Sequence, residues 1–400
     1  MDSWVPVLRL AARTVLEAVD LPSLSLRPER AGHALTALRL ARDALEAGEC
    51  SGLDENFLAS SALLLEALRR EGAQASEELA ALAVTCSGLH LKSAGESGPK
   101  DLGPETTRSL AILVAALLFF AGHHSRALAE AACDCVLDAI AALPSAAAWR
   151  AFFPGLFSRL QPLCCRGKSR RVAARALACV LEGLCVFSAD DLPENKAVVA
   201  AEDSRPGRPS MRPETGRPEE ELSAPSEGLA GGHQELVSRL AKHLPGAARS
   251  VLLTSTPAES SRLVSALRRL LTQCGLFLGE ELCAELLLVL VIPFEETSPE
   301  VRSFVLGVVD EVKNQDTPRW SRLRGRLFER AAGLLTLICG SLVTMSDDEA
   351  CAALSEAMGL FAVIGEEGHI LIGALSADTR KLLRQLTRLC EVNFKLDIIP

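Results

Sequence analysis

The sequence contains no tyrosine and few aromatic residues of any kind. Phe, Trp and Tyr together make up 4% of the 400 residues, whereas 48% of the residues are hydrophobic. Leu and Ala dominate the hydrophobic set, as is typical of helices that pack closely through aliphatic and small side chains. The composition therefore predicts a large buried interior built from helices.

The chain also lacks the charge and the apolar segments that nucleic-acid and membrane proteins need. Its formal net charge is -9, which opposes phosphate binding because that requires a positive field. The longest apolar run, Leu110 to Ala121, is too short for a membrane span of about 20 residues. Met1 to Trp4 provide no basic region of the kind that opens a signal peptide. We therefore expect neither nucleic acid nor membrane among the partners.

No pattern of catalytic or ligand-binding residues is present. The chain has no phosphate-cradling glycine-rich loop, no GxSxG, no HExxH and no kinase signature. None of its thirteen cysteines forms a CxxC pair, and most lie on apolar helical stripes, which indicates buried, reduced thiols in a cytosolic or nuclear protein. His123 and His124, with Cys133 and Cys135 nearby, come closest to a metal site. A turn and two core thiols are favoured there, because CxC is a poor zinc spacing. We predict no catalytic residues, no cofactor and no metal.

What the chain does contain is a succession of amphipathic helix pairs, and Leu282 to Val312 shows the pattern best. Two apolar stripes at helical spacing flank a turn at Phe294 to Thr297. Ser298 can cap the second helix, and Pro299 suits its first position, where a missing N–H is no loss. The stripes are formed by Leu282, Leu286, Val289 and Leu290 in the first helix and by Val301, Phe304, Val305, Val308 and Val312 in the second.

The same pattern of apolar stripes at helical spacing predicts helices along most of the chain. We expect them at Val5–Val19, Pro28–Ala47, Asp54–Arg70, Ser76–Leu91, Thr106–Ala121, Ala127–Leu143, Phe152–Leu163, from Ser169, at Gln234–Leu253, after Thr256, after Thr317, after Ser346 and at Ala377–Cys390. Ser93–Pro104 is predicted to be a loop and Cys164–Lys168 a turn. Thr106–Ala121 is apolar on most sides and should lie centrally.

No single helix pair can bury such wide apolar stripes. The sequence therefore predicts an all-α fold, a HEAT-like α-solenoid of antiparallel helix pairs.

One segment interrupts this pattern. Residues 189–232 are rich in proline and charge and poor in large apolar side chains, so they cannot bury enough surface to offset the entropy of ordering. We predict N-terminal helical repeats over 1–188, a disordered insertion over 189–232 and further HEAT-like repeats over 233–400. Ser188 and Ser346, each followed by acidic residues, are open to two interpretations: helix caps or sites for an acid-directed kinase.

Two basic runs are candidate binding surfaces. The run from Arg166 to Arg175 surrounds a predicted turn and is explained by solvation. In the second run, arginines are interleaved with aromatics, which suits an acidic peptide better than a nucleic-acid groove. The possible partner-binding residues are Arg319, Trp320, Arg322 and Arg326.

The order of several stretches beyond Ser261 resembles a known family. These stretches are Arg262–Cys274, Thr297–Arg302, Arg326–Leu335, Leu354–Gly365 and Ile370–Leu375. Together they resemble the N-terminal portion of the Tel-two-interacting protein one family, the HEAT-repeat scaffold of the Triple T complex. The first hundred or so residues match it only as generic helices.

The resemblance implies a non-enzymatic scaffold that stabilises and assembles phosphatidylinositol-3-kinase-related kinases of the mTOR, ATM and ATR class. Its implied partners are the two other Triple T subunits, those kinases and the heat-shock chaperone machinery, in the cytoplasm and also the nucleus. The alternative is an unrelated HEAT or armadillo-type adaptor, such as a transport receptor or a phosphatase scaffold. A helical enzyme with an unrecognised site is a third class, for which the residues offer no trace.

Overall fold

A computed structural model describes most of the chain. The described residues are 5–48, 53–72, 76–96, 103–142, 146–166, 169–188, 226–291, 299–315, 317–341, 346, 349, 353, 356 and 360. Residues 189–225 of the predicted insertion, the predicted turn at Phe294–Thr297 and the predicted helix at Ala377–Cys390 lie outside them.

Thirteen helices account for nearly all of the described residues. They are α1 (Val5–Ala18), α2 (Pro28–Glu46), α3 (Glu55–Glu71), α4 (Glu77–Glu96), α5 (Pro104–Phe120), α6 (Arg126–Ala142), α7 (Ala146–Arg166), α8 (Arg170–Phe187), α9 (Ser226–Thr254), α10 (Pro257–Gln273), α11 (Gly275–Val291), α12 (Pro299–Gln315) and α13 (Thr317–Ser341). The predicted all-α fold class is confirmed.

The chain divides into two compact units, Met1–Ser238 and Arg239–Pro400, and the boundary falls within α9. This helix begins at Ser226, so the last seven residues of the predicted insertion, 226–232, are helical.

In the first unit, consecutive helices pack as pairs, and the pairs stack in two layers. Helices α1, α3, α5 and α7 follow one another in one layer, and α2, α4, α6 and α8 follow one another in the other. Each helix therefore contacts its pair mate and the helices two positions away along the chain. This is the packing expected of a helical repeat array, in which each pair buries its stripes against the next pair.

The interior of this array is aliphatic, with a few fully buried rings. Phe57, Phe120 and Phe153 are at most 2% exposed, and α8 buries thirteen of its eighteen residues. Helix α5 is less central than predicted. Its Leu110, Leu113 and Leu117 are buried, but Phe119 is 42% exposed, because the neighbours of α5 cover only part of its circumference.

Two local predictions are corrected. Helix α4 runs on to Glu96 and α5 begins at Pro104, so both ends of the predicted loop at Ser93–Pro104 are helical. Helix α7 continues to Arg166, so the first three residues of the predicted turn at Cys164–Lys168 are helical, despite Pro154 and Pro162 inside the helix. Each proline costs one backbone hydrogen bond. The burial of four neighbouring side chains maintains the helix all the same, and these are Phe153, Leu156, Phe157 and Leu160.

A short hairpin that the sequence analysis did not predict follows α1. Strand β1 (Val19–Asp20) pairs antiparallel with β2 (Ser25–Leu26). The Asp20 carboxylate accepts a hydrogen bond from Ser23 Oγ and pairs with Arg27 at 3.2 Å. A two-residue ladder is too short to carry a periodic signal.

The second unit repeats the layered packing. Helices α10 and α12 pack together, as do α11 and α13, and α10 packs on its pair mate α11. Helix α11 bends at Gly279, whose φ of 74° is accessible because glycine lacks a Cβ. Two capping boxes are present. Glu259 accepts from the Thr256 backbone N–H at 3.0 Å, and Glu349 accepts from the Ser346 backbone N–H at 3.1 Å, as the helix-cap interpretation of Ser346 predicts.

Candidate protein-binding surface

The predicted partner-binding residues lie on α13. The backbone from Thr317 to Ser341 is helical, which places Arg319, Arg322 and Arg326 on one side, next to a stripe of buried leucines and alanine formed by Leu323, Leu327, Ala331 and Leu334. Arg326 is exposed, and within the described part of the chain it has no ion-pair partner. The side chains of Arg319, Trp320 and Arg322 lie outside the described residues, so their role stays a prediction.

The next arginine along this helix, Arg330, forms an ion pair within the second unit. Arg330 Nε lies 2.9 Å from Glu356 Oε1, and Arg249 Nη2 from α9 lies 3.8 Å from Glu356 Oε2. The Glu356 side chain is only 5% exposed, whereas both guanidinium groups remain partly in solvent. One nearly buried carboxylate therefore links α9 and α13. Arg330 is best explained as part of this link, and Arg326 remains available to a partner.

Replacing this carboxylate should weaken the second unit. We expect Glu356→Gln to destabilise it by about 2 kcal/mol, because one charge-assisted hydrogen bond and a second attraction are lost while the arginines can turn to water. Hydrogen exchange of α13 amides should be faster in the variant. Glu329→Gln is the control, since Glu329 is exposed on the same helix. Equal exchange rates in both variants would show that the link contributes nothing.

The described cysteines are mostly structural, as the sequence predicted. Cys86 Sγ donates to Leu38 O at 3.3 Å, and Cys179 Sγ donates to Cys133 O at 3.2 Å, so both thiols join neighbouring helices of one layer. Burial raises the pKa of Cys86 to about 12 and that of Cys179 well above its ordinary value. These thiols stay protonated and are poor nucleophiles. Cys165 differs from the expectation because it is exposed.

The His123–His124 pair forms a turn at the end of α5. The two rings lie 4.0 Å apart, and His124 Nε2 is 4.0 Å from Glu77 Oε2. Partial burial and the neighbouring His124 lower the pKa of His123. Cys133 and Cys135 are buried in α6. Among the residues that the structure describes, no three His, Cys, Asp or Glu side chains are placed to hold a metal ion.

The kinase interpretation of Ser188 does not fit its surroundings. Ser188 is 1% exposed, and its hydroxyl donates to Leu184 O at 2.8 Å. It ends α8 and offers no accessible hydroxyl in this conformation. Ser346 is exposed, but its hydroxyl is engaged with Glu349 at 3.0 Å, as expected of a capping residue.

Sequence reasoning missed a groove between α1 and α2. The groove has a volume of about 260 Å³ and is lined by Val7, Leu10, Ala11, Thr14, His33, Thr36, Ala37 and Leu40. Its two threonine hydroxyls donate to their own helices, to Leu10 O and Gly32 O, so apart from His33 the lining is effectively apolar. Leu10 and Leu40 are 63% and 56% exposed. One feature of the sequence could have indicated the groove: Leu10 falls outside the apolar stripe formed by Leu8, Ala11 and Val15.

Comparisons with other proteins assign no family to the chain. No family model and no curated protein matches it. Among solved structures, an engineered protein is similar at 15% identity with a TM-score of 0.28, covering 94% of this chain and 86% of that one. A structure concerned with tubulin recruitment by microtubule polymerases with tumour overexpressed gene (TOG) domain arrays is similar at 12% identity with a TM-score of 0.21, covering 88% of this chain and 97% of that one. No helix in the described part of the chain is long and apolar enough to cross a membrane. The fold class rests on the helix packing described above.

Proposed function

We propose that this protein is a non-enzymatic scaffold that binds other proteins. The observation that carries the proposal is the two-layer stack of helix pairs in the first unit. Each helix buries one side and leaves another side in solvent, so the array presents a continuous set of helical surfaces. Such arrays hold partners along extended surfaces, with most of the affinity coming from a few anchoring side chains.

We further propose that the scaffold serves a Triple T co-chaperone complex, which stabilises and assembles kinases of the mTOR, ATM and ATR class. What supports this is the order of the five family-like stretches in the sequence. Three of them fall at least in part on α10, α12 and α13; Ile370–Leu375 lies outside the described residues, as does Leu354–Gly365 apart from residues 356 and 360. The partners would then be the two other Triple T subunits, the kinases and the heat-shock chaperone machinery, in the cytoplasm and the nucleus.

Affinity purification of the tagged chain followed by mass spectrometry tests this proposal. We expect the other Triple T subunits and at least one kinase of this class to be recovered in excess over an untagged control. Recovery of a small GTPase in their place would indicate a transport receptor. Recovery of phosphatase subunits would indicate a phosphatase scaffold. Either result would replace the Triple T assignment while keeping the scaffold.

The basic side of α13 can be tested in the same experiment. We expect the double variant Arg322→Glu/Arg326→Glu to lose at least one acidic partner, by about tenfold in recovered amount, because reversed charges repel an acidic peptide. Arg170→Glu/Arg171→Glu is the matched control, since both arginines are exposed on α8 in the other unit. An unchanged set of partners in the α13 variant would remove these residues from the binding surface.

A further inference from the structure

We draw no further inference here: the strongest candidate, the cluster of three buried thiols that Cys133, Cys164 and Cys179 form where α6, α7 and α8 meet, carries none, because thiols enclosed in this way are poor nucleophiles and nothing in the described part of the chain shows an oxidant, an electrophile or a metal ion reaching them.

Discussion

Phe153→Ala is expected to destabilise the α7–α8 pair by about 3 to 5 kcal/mol, the usual cost of deleting a fully buried ring. Phe153 is completely buried and packs against Phe187, with ring centroids 5.2 Å apart. The ring also faces Gly183, where a Cβ would lie 3.3 Å from Phe153 Cδ2. Gly183 therefore leaves just enough space for the ring, and the smaller side chain would leave a cavity that neither helix can close.

Urea unfolding followed by circular dichroism would measure this effect. The matched control is Phe119→Ala on α5, which removes a ring that is 42% exposed and should cost within about 1 kcal/mol. If the two alanine variants unfold at the same urea concentration, Phe153 does not anchor the α7–α8 contact in the way its burial indicates.

Acidification from pH 6.5 to pH 4 is expected to remove about 3 kcal/mol of stability from the α3–α4 pair, because His90 is buried in its neutral form. His90 is 0% exposed; its Nε2 accepts from the Asp54 backbone N–H at 2.9 Å, and its ring packs edge-on to Phe57 at 5.2 Å. Burial lowers the pKa of His90 to about 4, and the nearby Asp54 opposes this only in part.

The sign of the effect follows from the proton balance. Between pH 4 and pH 6.5 the unfolded chain binds a proton at His90 that the folded chain does not bind. The contribution is therefore complete above pH 6.5 and falls as the pH approaches 4. Protonation would add the proton at Nε2, which already accepts from Asp54 N–H. His90 Nδ1 is buried without a hydrogen-bond partner in the described part of the chain, so the protonated ring has no hydrogen-bond acceptor in place and is favoured only by the charge of the nearby Asp54.

Hydrogen exchange of α3 and α4 amides at several pH values, corrected for intrinsic rates, would report this loss. His90→Gln should flatten the pH profile over this range, because the glutamine side chain can still accept from Asp54 N–H but does not titrate. His33→Gln, at an exposed position on α2, should keep the wild-type profile. If His90→Gln loses as much stability on acidification as the wild type, the loss comes from other titrating groups. Candidates are the paired carboxylates Glu66 and Glu130, whose arginine partners lower their pKa values.

Local sequence signals located most of the helices. Capping chemistry marked the start of α10 at Thr256 and the capping contacts at Ser346, since a hydroxyl and a glutamate three residues later satisfy backbone donors without help from the rest of the chain. The prediction was wrong at Ser93–Glu96, at Pro104 and at Cys164–Arg166, which are helical. Loop-forming composition was the wrong guide there, because packing against neighbouring helices stabilised helical backbone in α4 and α7.

The candidate surfaces were predicted less completely than the fold. The basic run on α13 could be recognised in the sequence from its arginines. The ion pair of Arg330 could not, because its partner, the buried carboxylate of Glu356, lies twenty-six residues further along the chain. The groove between α1 and α2 had only a faint signal. A leucine outside the main stripe, such as Leu10, looks the same in the sequence whether a neighbouring helix covers it or not.

The sequence by itself determined that this protein is helical, that its helices are amphipathic, and that they must stack in pairs, since the 3.6-residue period fixes which side chains share a face. The tertiary structure alone decided how these faces are used. It buried His90 and Phe153 and left Phe119, Leu10 and Leu40 in solvent. The reason is that the burial of a face depends on helices that are distant in sequence, and their positions are set by the packing of the whole array.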